Sequence, residues 1–269
     1  MNTMNKGSDE FAGNRAFMKC SGMITEELGS GEQKGLTPPP PGKAPSGKIL
    51  ELPAFAGAVK NKDFSELLEI RRSVRAYSGA PAAAEQLAFM LWSVQGVLKY
   101  KKSAKTFALF KPAPSGGARH PFEIYAVVLN VEGLEPGIYH YLPMEHVGEK
   151  RSAVEFVSAF EKPIETISEM LMGQSWASKA SFVLFFSCIP YRAEWRYGHM
   201  SHRAMLIDIG HAGQNAMLSA AALGLGSCCC ARYNSALCDK VLGIDGKDEF
   251  TVYAVPVGVP KIVRRFDLT

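Results

Sequence analysis

The sequence predicts an α+β fold, a mainly antiparallel sheet packed with helices around one long central helix. Three observations predict it. Arg203 to Leu223 is a long Ala/Gly/Leu-rich run whose Asp208, His211 and Asn215 fall at i, i+3 and i+7, one narrow polar stripe on a helix. Ser181 to Ile189 is a nearly continuous apolar run of strand length, the pattern of a strand buried on both faces. Glu123 to Val131 and Ile138 to Leu142 flank the turn Glu135-Pro136-Gly137 and read as a hairpin.

The remaining elements follow in chain order. Residues 1–52 read as an extended Pro/Gly-rich N-terminal tail, because the run Pro38 to Pro41 cannot build a packed element. The apolar patches Phe17-Met18 and Ile49-Leu50 predict that this tail is pinned. Residues 53–269 form the folded domain. Asp63, with Glu66 three residues on, predicts a capped helix through Leu67, Leu68 and Ile70 that ends near Arg72. Leu87, Met90, Leu91 and Val94 predict a second helix over Ala84 to Val97. Short helices are expected over Ala153 to Phe160 and Ile164 to Met172, and a last strand over Phe250 to Val257. Small residues along the long helix (Ala212, Gly213, Ala216, Ala220, Ala221) suit close packing or a subunit interface.

Composition narrows the function. The chain has 269 residues, 47% of them hydrophobic, enough for a sizeable core in a single domain. A net charge of +4 without a Lys/Arg block gives no nucleic-acid footprint. Met1 to Glu10 lacks a signal-peptide pattern, and the longest apolar stretch, Met205 to Leu225, is interrupted by Asp208, His211, Gln214 and Asn215. A cytoplasmic protein with no membrane contact is expected. In that compartment the six cysteines read as small buried hydrophobes rather than disulfides. His199 and His202 have helical spacing but no third ligand, so no metal is expected.

Four segments carry candidate chemistry. In Arg71-Arg72-Ser73-Val74-Arg75, an extended turn of the chain would place Arg71, Ser73 and Arg75 on one side, suited to a phosphate monoester. In Pro114-Ser115-Gly116-Gly117, paired glycines let backbone approach a flat ligand and Ser115 adds a hydroxyl. Leu225-Gly226-Ser227 follows Gly224 at the end of the long helix. No strand precedes it and the third glycine of a dinucleotide fingerprint is missing, so a glycine cap exposing backbone N–H groups remains. Gly258, Lys261 and Arg264 could complete a phosphate pocket at the C-terminal end.

Together these segments resemble the nitroreductase family, specifically its SagB-type dehydrogenase branch. The resemblance also rests on Leu91-Trp92-Ser93-Val94-Gln95-Gly96, Gly133-Leu134-Glu135-Pro136-Gly137-Ile138-Tyr139-His140-Tyr141, Asp208-Ile209-Gly210-His211-Ala212-Gly213-Gln214-Asn215 and Ala222-Leu223-Gly224-Leu225-Gly226, in the family's order. It implies a domain-swapped homodimer with two FMN sites at the interface. Arg71, Arg72, Ser73 and Arg75 would hold the phosphate and pyrimidine edge. Pro114 to Gly117 would reach the flavin of the other subunit, and Leu225-Gly226-Ser227 would place backbone donors near the reactive nitrogen. The implied reaction passes hydride or electrons through FMN between NAD(P)H or an organic substrate and an acceptor such as a nitroaromatic or quinone. One subset of the branch oxidises azolines in peptides and uses a Lys-Tyr pair, where this chain has Arg196-Tyr197. Arginine stays protonated, which leaves Tyr197 as the acid or base. A flavin-binding protein without turnover is the reading from another class.

Overall fold

The computed structural model describes residues 10–19, 29–103, 105–160 and 162–261. Its centre is a seven-stranded sheet of β1 (Ile49–Glu51), β4 (Phe122–Val128), β5 (Gly137–Tyr141), β6 (Ala153–Ala159), β7 (Phe182–Cys188), β8 (Gly226–Ser227) and β9 (Phe250–Gly258). The strand order is β1-β6-β5-β4-β7-β9-β8, and every pair in it is antiparallel. A separate hairpin pairs β2 (Lys99–Lys102) with β3 (Phe107–Phe110).

Alternation along β4 and β7 explains the long apolar runs. Phe122, Ile124, Ala126 and Val128, with Phe182, Leu184 and Phe186, face α3 (Ala84–Gln95) and α6 (Ser201–Ala222). Tyr125, Val127, Val183 and Phe185 point the other way, into a second core with α4 (Pro163–Met170) and α7 (Ser235–Leu242). Both central strands are buried along their whole length, as strands covered on both faces must be.

The predicted hairpin, the apolar strand, the long helix and the helices near 63–72, 84–97 and 164–172 all form. Ala153 to Phe160 does not form a helix: it is β6. Val154, Phe156 and Val157 are β-branched or aromatic, and β1 and β5 supply ladder partners on both sides. Local spacing could not reveal those partners. The two-stranded hairpin, α5 (Tyr191–Tyr197) and α7 were not anticipated.

Parts of the N-terminal region are built into this fold. A helix, α1 (Ala12–Met18), places Phe17 against the His202 ring at 4.6 Å. The backbone N–H groups of Ser46 and Gly47 donate to the Glu155 carboxylate. Lys43 Nζ donates to Glu249 at 2.6 Å and to Tyr125 Oη at 2.7 Å. Beneath these contacts lies a buried polar row, with His140 Nε2 2.9 Å and Arg192 Nη2 2.6 Å from the Glu123 carboxylate. Among the described residues no helix is long and apolar enough to cross a membrane.

Candidate functional site

The first constellation starts where α2 (Phe64–Ile70) stops. Asp63 caps its N-terminus, its carboxylate accepting from Glu66 N–H at 2.9 Å. Arg71 closes the last turn by donating its N–H to Leu67 O, and its ψ of 119° turns the chain extended. The extended segment is then clamped. Ser73 bridges Ser227, Val74 N–H donates to Ser227 O at 2.9 Å, and Lys261 N–H donates to Ala76 O at 2.8 Å. Tyr77 Oη donates to Val74 O at 2.9 Å and Pro256 O at 3.0 Å. One region therefore gathers Arg71, Arg72, Ser73, Arg75, Leu225, Gly226, Ser227, Gly258 and Lys261. Arg264 lies outside the described residues.

One buried thiol beside this cradle is acidified. The Cys230 thiol donates to Cys228, and the Arg75 guanidinium and Ser73 hydroxyl add to that, so the buried Cys228 thiol is held below the ordinary thiol range. Arg75 itself lies over the Trp176 ring at 5.9 Å. Arg72 Nη1 donates to Arg71 O at 2.8 Å. Two glycines serve the protein instead of leaving room for a ligand. A Cβ on Gly226 would meet Val74 Cγ1 at 2.6 Å, and one on Gly258 would meet Ser181 N at 2.9 Å.

The helix end at Leu225 also differs from expectation. Gly224, at φ 74°, and Leu225 donate their N–H groups to Ala221 O and Ala220 O, the paired bonds of a Schellman cap. The Leu225 N–H is thus spent on α6, which leaves Gly226 and Ser227 to carry any donor role in that loop.

The second constellation is the turn 114–120, at the other end of α6. Ser115 Oγ donates to Asp208 Oδ2 at 2.6 Å, and Gly116 N–H donates to Asp208 Oδ1 at 3.1 Å. The same hydroxyl accepts from His120 N–H at 2.9 Å. The hydroxyl and the N–H expected to meet a ligand are committed within the chain, so the turn offers bare backbone. Gly117, Ala118 and His120 take φ of 56°, 53° and 47° around a right-handed Arg119, and positive φ at two non-glycines persists only when the surroundings hold it. Arg119 does that. Its Nε donates to Gly117 O at 3.0 Å while its guanidinium lies 4.5 Å from the Phe107 ring and 5.4 Å from that of Trp195. Tyr197 stands against this turn: a Cβ on Gly117 would fall 2.8 Å from Tyr197 Oη and 2.7 Å from Arg196 Nε. Sequence reasoning gave no role to Arg119 or Trp176 and missed the Asp208 anchor.

The two constellations do not meet. Asp208 and Ala222 are 14 residues apart on α6, about 21 Å at 1.5 Å per residue. Between them the outer face of α6 exposes Gly210, His211 and Gln214, just before them it exposes Leu206 and Ile207, and α2 exposes Phe64 and Leu68.

A model of the nitroreductase family matches residues 68–259. The chain belongs to this family. A nitroreductase-type protein of Methanocaldococcus jannaschii, MJ1384, is 30% identical over 193 residues, 72% of this chain and 89% of that one. The trifolitoxin-processing protein TfxB of Rhizobium leguminosarum bv. trifolii is 38% identical over 119 residues, covering 44% of this chain and 31% of TfxB. The microcin B17-processing protein McbC of Escherichia coli is 30% identical over 139 residues. The match spans about half of McbC, 50% of this chain against 49% of that protein. Among solved structures, a nitroreductase-type protein of Anabaena variabilis superposes with a TM-score of 0.62 at 26% identity, over 79% of this chain and 42% of that one.

Proposed function

We propose that the protein is an FMN-dependent oxidoreductase acting as a homodimer, with each flavin held between the Arg71–Arg75 cradle of one copy and the 114–117 turn of the other. The observation that carries this reading is the pair of half-sites about 21 Å apart on one helix. Each half is fully anchored, and a second copy packed on the apolar α6 and α2 faces would bring them together.

The residues present fit a flavin mononucleotide. A cluster of half-buried Arg71 with exposed Ser73, Arg75 and Lys261 suits a phosphate monoester. When bound, FMN supplies two-electron transfer between NAD(P)H or an organic donor and an acceptor such as a nitroaromatic or quinone. The protein's part is positional. Arg71, Ser73 and Arg75 bind the phosphate end, Gly226 and Ser227 offer backbone toward the ring edge, and the Gly116-Gly117 backbone approaches the flat face. Tyr197, whose hydroxyl lies beside that turn, is the residue placed to hold or deliver a proton.

A second reading, a peptide-modifying azoline dehydrogenase, is favoured by the matches to TfxB and McbC. Against it, Arg196 is ion-paired with Glu32 and cannot serve as a base.

Acid release of the cofactor followed by chromatography tests the main reading. FMN in about one equivalent per chain is expected; FAD, or no flavin after reconstitution, overturns it. Anaerobic bleaching by NADH or NADPH then separates an enzyme from a binding protein.

A further inference from the structure

Beside the 116–117 turn, two arginines lie near one carboxylate, which bonds to one of them. Both oxygens of Glu32 lie 2.9 Å from Arg196 Nη1. Glu32 is brought there by the N-terminal segment, whose Glu32 N–H donates to Trp195 O at 2.7 Å and whose Leu36 O accepts from Trp195 Nε1 at 2.9 Å. Arg119 completes the group. It is 2% exposed, its Nη1 has no hydrogen-bond partner among the described residues, and the charges of both Arg196 and Glu32 reach it. A buried guanidinium N–H without an acceptor is costly, and native proteins rarely leave one. Two guanidinium groups beside one turn, with one carboxylate that bonds only Arg196, are short of negative charge.

We propose that Arg196 and Arg119 form a binding site for an organic carboxylate beside the Gly116-Gly117 turn, and that Glu32 occupies this site from within the chain. The placement next to the redox centre rests on the flavin reading above; the binding chemistry does not. Tyr197 Oη lies at the same turn, so an acid held here sits next to the residue placed for proton delivery. Glu32 and Arg196 are each more than a third exposed, and such ion pairs hold weakly in water. An external acid can displace Glu32, but it must compete with a group tethered at high local concentration. The site therefore selects acidic substrates and is partly self-blocked. Its Arg196 contribution coincides with the position where the azoline-oxidising subset carries lysine, and here it is a carboxylate anchor.

The test is a calorimetric titration of the purified protein with benzoate, and with benzamide as the uncharged control. Glu32→Gln is expected to bind benzoate at least tenfold more tightly than wild type, with no gain for benzamide. Glu32→Ala should behave the same way, and adding Arg196→Gln should abolish the gain. Equal benzoate affinity in wild type and both Glu32 variants overturns the proposal. So does an equal gain for benzamide, or a gain that survives in the double variant. Heat of binding needs no turnover, so a protein that yields no flavin but shows the gain refutes only the cofactor reading. A flavoprotein without the gain refutes only the carboxylate site.

Discussion

Ser115→Ala tests whether the 114–120 turn is held by the chain's own polar groups. The hydroxyl donates to the Asp208 carboxylate at 2.6 Å and accepts from His120 N–H at 2.9 Å. A hydrogen bond to a charged group is worth about 1.5–3 kcal/mol, and a neutral one about 1 kcal/mol. Both are lost together, and the substitution leaves Asp208, 7% exposed, with only the Gly116 N–H. The expected loss of stability is therefore about 2.5–4 kcal/mol. At roughly 2–4 °C per kcal/mol for a chain of this size class, Tm should fall by about 5–15 °C. Urea unfolding followed by circular dichroism measures it, at one fixed protein concentration because a dimer's stability depends on that concentration. Ser115→Thr, which keeps the hydroxyl, should recover most of the loss. A loss below about 1 kcal/mol would show that the positive-φ residues at 117, 118 and 120 need no such anchor.

Three further outcomes are expected. Arg75→Ala weakens flavin binding by about 1.5–3 kcal/mol, the range for a charge-assisted bond, with folding intact; flavin retention equal to wild type in equilibrium dialysis makes Arg75 a surface cation only. Lys111, whose Nζ donates to Gln95 Oε1 at 2.7 Å, has its pKa lowered to about 7 by burial, with Arg192 adding to the effect and Glu123 opposing it. The unfolded chain then holds more protons between about pH 7 and 10.4, so this group's contribution to stability rises with pH across that window and its burial cost is complete below it. The stability advantage of Lys111→Met over wild type should therefore be greatest at pH 6 and shrink toward pH 10; a pH-independent difference in urea midpoints refutes the burial argument. Light scattering at low micromolar concentration should find a dimer, and a 29.3 kDa species that retains FMN would refute the shared site.

What was legible in the sequence depended on the range of the interaction. Asp63 and Glu66, or the spacing of Leu87, Leu91 and Val94, act within a turn or two, and the helices they predict form. The continuous apolar run at Ser181 to Ile189 carried its burial in its own composition. Ala153 to Phe160 was misread because its fate is set by β1, about a hundred residues upstream, and by β5. The candidate site divides the same way. The residue types of the Arg71–Arg75 cradle were readable, since cations and a hydroxyl at alternate positions suggest a phosphate. What Ser115 and Leu225 do was not, because their apparent ligand donors are taken by Asp208 and Ala220. Arg119 was hidden for a related reason: its role comes from rings at positions 107 and 195, which folding brings around it.

The long helix explains why both halves of the site are so fully committed to the chain itself. α6 is anchored at its C-terminal end by the Gly224 cap, by Lys60 and Asn61 N–H donating to Ala222 O, and by Gln86 Nε2 donating to Leu223 O at 3.2 Å. In its middle Asn215 Nδ2 donates to Ser93 O at 3.1 Å, and near its start Asp208 fixes Ser115 and Gly116. Of the polar stripe predicted from Asp208, His211 and Asn215, Asp208 and Asn215 fasten the helix to one side of the chain, whereas His211 is exposed on the other. Fastening along one side leaves the other, with Leu206, Ile207, Gly210, His211 and Gln214, exposed among the described residues. A rod fastened along one side sets a fixed spacing between the cradle and the turn. Neither half can shift toward the other by flexing the helix without breaking several of these bonds. The proposed shared site would accordingly be completed by packing of a second copy and not by closure within one chain.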